Sequence, residues 1–129
     1  MRQVTAAVII EHDRLLLARR GPAESLAGLW ELPGGKVEAG ETIQECLRRE
    51  LLEEFEMGTV VGKVVARTFY EYEHGSFDLV ALAAERLTEY RLHVHDAVSW
   101  LARDEIASLE LAPADVDLVR QILASDHWK

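Results

Sequence analysis

The sequence predicts an α/β domain in which helices cover a mixed β-sheet. Three observations lead there. Long β-branched runs such as Thr59 to Tyr72 (TVVGKVVARTFYEY) read as strands. A polar-apolar stretch from Thr42 to Phe55 repeats with helical spacing. Helices and strands interleave in an irregular order, which suits a layered domain with a mixed sheet. A length of 129 residues, 49% apolar and 29% charged, is enough for one domain (residues 1–129) with a core of its own.

The elements follow in order. Val4 to Glu11 (VTAAVIIE) is the first strand, and His12-Asp13 turns the chain into a second, Arg14 to Ala18. Arg19 to Gly28 carries Gly, Pro and Ser and reads as a loop. Leu29 to Leu32 is a short strand that delivers the chain to Pro33-Gly34-Gly35. The helix then runs from Thr42 to Phe55. Thr42 and Glu45 have capping-box spacing, and Ile43, Cys46, Leu47 and Leu51 form a buried stripe. Thr59 to Tyr72 bends at Gly62, His74-Gly75 makes a hairpin turn, and Ser76 to Leu87 returns. Ala97 to Leu101 is a last strand and Ala102 to Leu109 a short helix. Pro113 opens a final helix over Ala114 to Ala124.

Composition narrows the function classes. With 14 basic and 23 acidic residues, the net charge of −9 argues against a nucleic-acid polymer as partner. It leaves room for a small phosphorylated ligand that arrives with its own cation. No apolar run approaches a membrane span, and Ala6 to Ile10 is too short for a signal peptide. The lone Cys46 excludes an internal disulfide and fits a reducing cytoplasm. It reads as a small core residue on the helix.

The chemistry concentrates between Gly35 and Met57, GKVEAGETIQECLRRELLEEFEM. Glu50, Glu53 and Glu54 lie three and four residues apart, on one face of the helix, where like charges repel. A hard divalent cation, Mg²⁺ or Mn²⁺, is the simplest reason to keep them together. The glycine turn brings backbone carbonyls close to the same point.

This stretch resembles the Nudix box, G-x5-E-x7-R-E-U-x-E-E-x-G-U, where U is a bulky apolar residue. Gly35, Glu41, Arg49, Glu50, Glu53 and Glu54 fall on its positions. The departure is Glu56, where the family has glycine. Gly58 follows two residues on, so the helix is expected to run that much further. Leu29 to Glu38 and Leu111 to Asp115 resemble the MutT-like branch. The second segment is similar to its bacterial CTP pyrophosphohydrolases, which act on pyrimidine and oxidised deoxynucleoside triphosphates.

The resemblance implies an α/β/α sandwich and Mg²⁺-dependent hydrolysis of a nucleoside diphosphate linked to another group. In this branch the reaction gives a monophosphate and pyrophosphate, clearing modified nucleotides from the pool. It implies Glu53 and Glu54 as main metal ligands, the Gly35 carbonyl beside them, and Glu50 as third ligand or base. Arg49 orients the catalytic glutamate. Glu41 supports the metal shell, pairs with Arg49, or complements the helix N-terminus. Relatives place a loop glutamate at the position of Val94, so Asp96 or a histidine (His93, His95) stands in, or Glu53 or Glu50 activates water. His93 and His95 otherwise read as exposed loop residues.

Base recognition falls by resemblance to Asp115, with helix capping as the competing role. Arg20 aligns with a substrate-loop arginine. Leu32 and the aromatics Phe77, Tyr70 and Tyr72 are candidates to stack on a base, and Trp30 and Trp100 read as core. A monomer or a homodimer both fit. The alternatives are a Nudix hydrolase of ADP-ribose or a dinucleotide, or a silent nucleotide-binding domain. The short chain, with no added N-terminal domain, speaks against ADP-ribose. The intact acidic set speaks against silence.

Overall fold

The computed structural model describes residues 2–128. Eight strands come in chain order: β1 (Arg2–Val8), β2 (Ile10–Glu11), β3 (Arg14–Arg20), β4 (Trp30–Glu31), β5 (Gly34–Lys36), β6 (Thr59–Tyr72), β7 (Gly75–Arg86) and β8 (His95–Leu101). The helices are α1 (Ile43–Phe55), α2 (Arg103–Ile106) and α3 (Val116–Leu123), the last preceded by a 3₁₀ turn at Pro113–Asp115.

One sheet has the order β5-β1-β7-β6 and is mixed, since β1 runs parallel to β7 while β5–β1 and β6–β7 are antiparallel. In the other, β3 pairs antiparallel with β2, β4 and β8. The central strands are apolar at consecutive positions, because both their faces are covered. Side chains alternate between the faces. Ala6, Val8, Leu15, Leu17, Leu79 and Ala81 pack with Leu118, Val119 and Ile122 of α3. The intervening Ala7, Ile9, Leu16, Ala18, Val80 and Leu82 pack with Leu47, Leu51 and Phe55 of α1. This is the sandwich that the sequence led us to expect.

The α1 capping box is formed. Thr42 Oγ1 accepts the Glu45 N–H at 3.1 Å, and Glu45 Oε1 accepts the Thr42 N–H at 2.8 Å. Cys46, Leu47, Leu51 and Phe55 are buried, while Ile43 is only half-buried.

Three expectations are corrected. The helix does not run on toward Gly58: it ends at Phe55, and Glu56 itself takes the left-handed conformation (φ 49, ψ 36). Met57, fully buried, is drawn back so that its N–H reaches the Leu51 carbonyl. Second, Arg19 and Arg20 are strand rather than loop. They continue β3 opposite Ala97 and His95 of β8, with a register irregularity between them. Third, the last helix begins at Val116 and not Ala114, after the 3₁₀ turn. Trp30 and Trp100 are half-buried at the edges of the two cores. The bend in β6 is seen as register shifts between Val61 and Ala66.

Candidate active site

The box positions converge on Arg49. Its guanidinium holds Glu41 by two bonds (Nη2–Oε1 2.7 Å, Nε–Oε2 3.1 Å). It also donates to Glu50 Oε1 at 3.0 Å, Glu53 Oε2 at 3.2 Å and the Lys36 carbonyl at 3.2 Å. A planar fork with five donors suits this position as a lysine would not. Hydrogen bonds from Arg49 and from the Glu38 N–H hold the Glu41 carboxyl down at about 2. Of the three roles open to Glu41, the structure shows the pairing with Arg49.

The glycine turn lets two groups come close. A Cβ on Gly34 would collide with the Thr5 carbonyl of β1, and one on Gly35 would occupy the Glu50 carboxyl. Glu50 is therefore seated directly over the turn. Register decides which carbonyl remains available. The Ala7 N–H bonds the Pro33 carbonyl and the Val37 N–H bonds that of Gln3, so Gly35, opposite Thr5, faces β1. Its carbonyl also accepts from Thr5 Oγ1 at 3.2 Å. By strand alternation the Gly34 carbonyl points to the other edge, the side on which Arg49 reaches Lys36. The carbonyl of Gly35, expected as a ligand, is engaged, and that of Gly34 is the open one. Cys46 is buried beneath the turn, 3.3 Å from Thr5 Oγ1.

A cavity of about 900 Å³ runs from this turn to the 3₁₀ turn. Gly35, Glu50 and Glu54 line it at one end, and Arg20, Leu32 and Asp115 at the other. Phe77, Tyr70 and Tyr72 also face it, with the Tyr72 and Phe77 rings stacked at 5.0 Å. Arg49 and Glu53 do not line it; Glu53 is exposed and turned to Arg49. Among the described residues, no three His, Cys, Asp or Glu side chains converge into a ready metal cage. Even so, the residues suit a hard cation. Burial, with Glu50 adding its charge, pushes the Glu54 carboxyl up to about 7. Burial also raises Glu50, against the pull of Arg49. Two carboxylates one turn apart that resist ionisation together, beside an open carbonyl, are relieved by a divalent cation.

Asp115 makes no side-chain cap to α3. Its Oδ2 accepts the Leu32 N–H at 2.8 Å, across 83 residues of sequence. Asp115 stands at the N-cap position of α3, where the helix dipole favours a carboxylate, but its side chain bonds Leu32 rather than the helix. Burial raises its carboxyl to about 7, with Glu31 adding to the effect and the Leu32 N–H opposing it.

Two groups form a pair that the sequence did not lead us to expect. Glu31 accepts from Arg20 Nη1 at 2.7 Å and pairs with His95 Nε2 at 2.8 Å. Burial works to raise Glu31, but the bonds from His95 and Arg20 outweigh it and keep the carboxyl low. His95 is buried, stacked on Phe55 at 5.0 Å, and its Nδ1 has no partner. The expectation of an exposed loop fails for His95, which opens β8, and holds for His93, exposed and 2.6 Å from Glu56. Asp96 is bound by Arg19 at 2.7 Å, and Val94 is exposed. Glu31 has no signal beyond strand alternation.

The NUDIX domain family matches residues 5–121. The CTP pyrophosphohydrolase of Escherichia coli (strain K12) is 36% identical over 128 residues, covering 96% of this chain and 93% of that protein. The putative 8-oxo-dGTP diphosphatase 2 of Mycobacterium tuberculosis (strain ATCC 25618 / H37Rv) is 35% identical over 135 residues, covering 95% and 91%. Among solved structures, the E. coli ORF135 protein superposes with a TM-score of 0.87 at 36% identity, covering 96% of this chain and 89% of that one. The MutT protein of Methanosarcina mazei Go1 gives 0.83 at 26%, covering 95% and 92%.

Proposed function

The chain belongs to the NUDIX domain family, and from that premise we propose that it hydrolyses nucleoside triphosphates, modified or oxidised ones included, to a monophosphate and pyrophosphate. The observation that carries the reading is one cavity with the half-buried carboxylates Glu50 and Glu54 at one end and the Asp115 carboxyl at the other. The names of the relatives, a CTP pyrophosphohydrolase and a putative 8-oxo-dGTP diphosphatase, support the substrate class. The cellular role would be nucleotide-pool sanitation.

Glu50 and Glu54 in the cavity, Glu53 one step outside it, and the Gly34 carbonyl are the groups that would hold Mg²⁺, with Mn²⁺ as substitute. The ion supplies charge neutralisation at the phosphates and a more acidic water. Arg49 fixes Glu50 by Oε1, which leaves Oε2 to take the proton of the attacking water. Glu41 fixes Arg49 in turn. Asp96 and His93 are tied to Arg19 and Glu56, so neither serves as base. Water adds to phosphorus, the bond between the α- and β-phosphates breaks, and pyrophosphate leaves. At the far end Asp115 offers its free Oδ1 to the edge of the base, and Leu32, Tyr70 and Phe77 supply apolar surface. Arg20 is spoken for by Glu31 and Ser25 and shapes the wall.

The test is a panel of CTP, dCTP, 5-substituted dCTP, 8-oxo-dGTP, dATP, ADP-ribose and a dinucleotide with Mg²⁺, scored for pyrophosphate against phosphate. Pyrophosphate from a triphosphate is the expected product. Preference for ADP-ribose or the dinucleotide sinks the triphosphate reading. No turnover of any member identifies a silent nucleotide-binding domain.

A further inference from the structure

Four described residues other than glycine have positive φ: His12, Asp13, Leu26 and Glu56. Three have local reasons. His12 and Asp13 are the two central residues of the β2–β3 hairpin, whose twist calls for that conformation. Glu56 ends α1. Leu26 (φ 56) has none: its side chain carries no polar atom to bond the backbone, and leucine is a poor residue there. It is 54% exposed, yet it lines the cavity.

The loop around it is fixed at several points. Arg20 donates to the Ser25 carbonyl at 2.5 Å and to Ser25 Oγ at 3.2 Å, while binding Glu31 at 2.7 Å. The Gly28 N–H bonds the Arg20 carbonyl at 3.0 Å, and the Leu29 N–H bonds that of Leu26 at 3.2 Å. Gly21 is buried where a Cβ would strike the Val94 carbonyl. A surrounding that over-determines a strained residue is the setting in which strain serves function. The result is an exposed apolar side chain held at the edge of a cavity whose apolar walls include Leu32, Tyr70 and Phe77.

We propose that Leu26 is a substrate-contacting specificity residue, presented by its strained loop so that it closes on the apolar face of the nucleoside. This rests on the nucleotide-cleft reading above. The contact is with base or sugar, since leucine offers nothing to phosphate.

Strain separates this role from plain packing. Leu26→Gly relieves the backbone and removes the contact. The melting temperature should hold or rise by about 2–4 °C. Over the same change KM for CTP or 8-oxo-dGTP should rise about three- to tenfold, with kcat moving less. Affinity for CMP or 8-oxo-dGMP, measured by calorimetry without metal, should fall by the same factor. Leu26→Met keeps apolar reach and should restore most of the affinity. An unchanged KM and product affinity in Leu26→Gly overturns the proposal, whatever the melting temperature does. A fall in melting temperature without loss of affinity shows a packing residue and overturns it too. If the wild type neither hydrolyses triphosphates nor binds either monophosphate, the cleft reading fails and takes this one with it. An active wild type with an indifferent Leu26→Gly sinks Leu26 alone.

Discussion

The two ends of the cavity are built in opposite ways. The phosphate end comes from one run of chain, Gly34 to Glu54, tied together by the Arg49 guanidinium. The base end is assembled from Arg20, Leu32, Phe77 and Asp115, which lie on two strands, a loop and a 3₁₀ turn, and the Glu31–His95 pair stands between it and Glu54. The first end repeats a fixed charge pattern, so any change in it should strike the rate. The second is a wall of separately positioned groups, so a change there should strike the choice of substrate. The comparison predicts a graded series.

The largest effect belongs to the phosphate end. Glu54→Gln keeps size and helix propensity but removes a charge that a cation needs. We expect kcat to fall at least about a thousandfold, with cooperative unfolding intact. Glu50→Gln should match it, and Glu53→Gln should also lose several orders of magnitude. Retention of more than about a tenth of the activity in a folded variant excludes that residue as a ligand. Glu53 is the sharpest case, because it stands outside the cavity and on Arg49.

This asymmetry also governs what could be read from sequence. Arg49, Glu50, Glu53 and Glu54 share a helix, so spacing alone places them together, and the resemblance adds Glu41. The layered domain was legible from the mixed order of helices and strands, and the resemblance supplied the sandwich; the apolar runs Val4 to Glu11 and Ser76 to Leu87 turn out to be strands covered on both faces. Glu31 and His95 were not legible. They are 64 residues apart, and only the β3–β4 and β3–β8 pairings bring them to 2.8 Å. Arg19 and Arg20 looked like loop because the Gly, Pro and Ser that follow them drew the loop boundary too early. They extend β3 because Arg19 lies over the Trp30 ring and binds Asp96, while Arg20 binds Glu31. The engagement of the Gly35 carbonyl with Thr5 was not legible, because sequence gives proximity and not the direction of a peptide group.

The next effect is a pH dependence of stability, set mainly by the two carboxyls that burial raises furthest, with Glu50 raised in the same direction. Asp115 moves from 3.8 to about 7 on folding, and Glu54 from 4.5 to about 7. Between those limits the folded state holds more protons than the unfolded state, so stability falls as pH rises through the window. At pH 8 in chelator Asp115 should leave the protein short by about 2–4 kcal/mol relative to pH 4.5, and Glu54, which solvent screens in part, by less. Asp115→Asn should flatten its share of that slope with or without metal. Adding Mg²⁺ at pH 8 should recover the Glu54 share and leave the Asp115 share untouched. Denaturant titrations from pH 4.5 to 8 with both proteins measure this. Above about pH 6 the carboxyls that ion pairs hold low, such as Glu11, Glu31 and Glu41, are ionised in both states. A metal-free slope there that is zero or positive contradicts the upward shift of both carboxyls.

A smaller effect, about tenfold, is expected in substrate choice. Asp115→Asn keeps an oxygen to accept the Leu32 N–H but replaces a carboxyl with an amide at the free position. The ratio of kcat/KM between cytosine or oxidised nucleotides and dATP should then shift by about tenfold, the scale of one hydrogen bond to a charged group. kcat on the preferred nucleotide should move less than in any Glu54 variant. Unchanged ratios across dCTP, 5-substituted dCTP, 8-oxo-dGTP and dATP would leave Asp115 as a tether for Leu32 only.

The smallest effect separates fold from site altogether. Glu56 holds a left-handed conformation at the position where the family pattern carries glycine. That conformation costs a residue with a Cβ about 1–2 kcal/mol, whereas glycine adopts it freely but gives up more chain entropy on folding. The difference leaves Glu56→Gly about 0.5–1 kcal/mol more stable. The exposed pair with His93 is lost in the exchange, and such pairs are worth about 0–1 kcal/mol, so the gain sits at the lower end. A glycine in place of Glu56 would still let the Met57 N–H return to Leu51, since that bond depends on the backbone and on the burial of Met57. Glu54 lies two residues away on a helix whose last turn is unchanged, so kcat and the nucleotide ratios should stay within about twofold. Chemical denaturation with parallel kinetics tests both halves. A stability loss would mean that Glu56 carries an interaction beyond the His93 pair. A kinetic change of tenfold or more would mean that the helix end, and not only its acidic face, tunes the phosphate end.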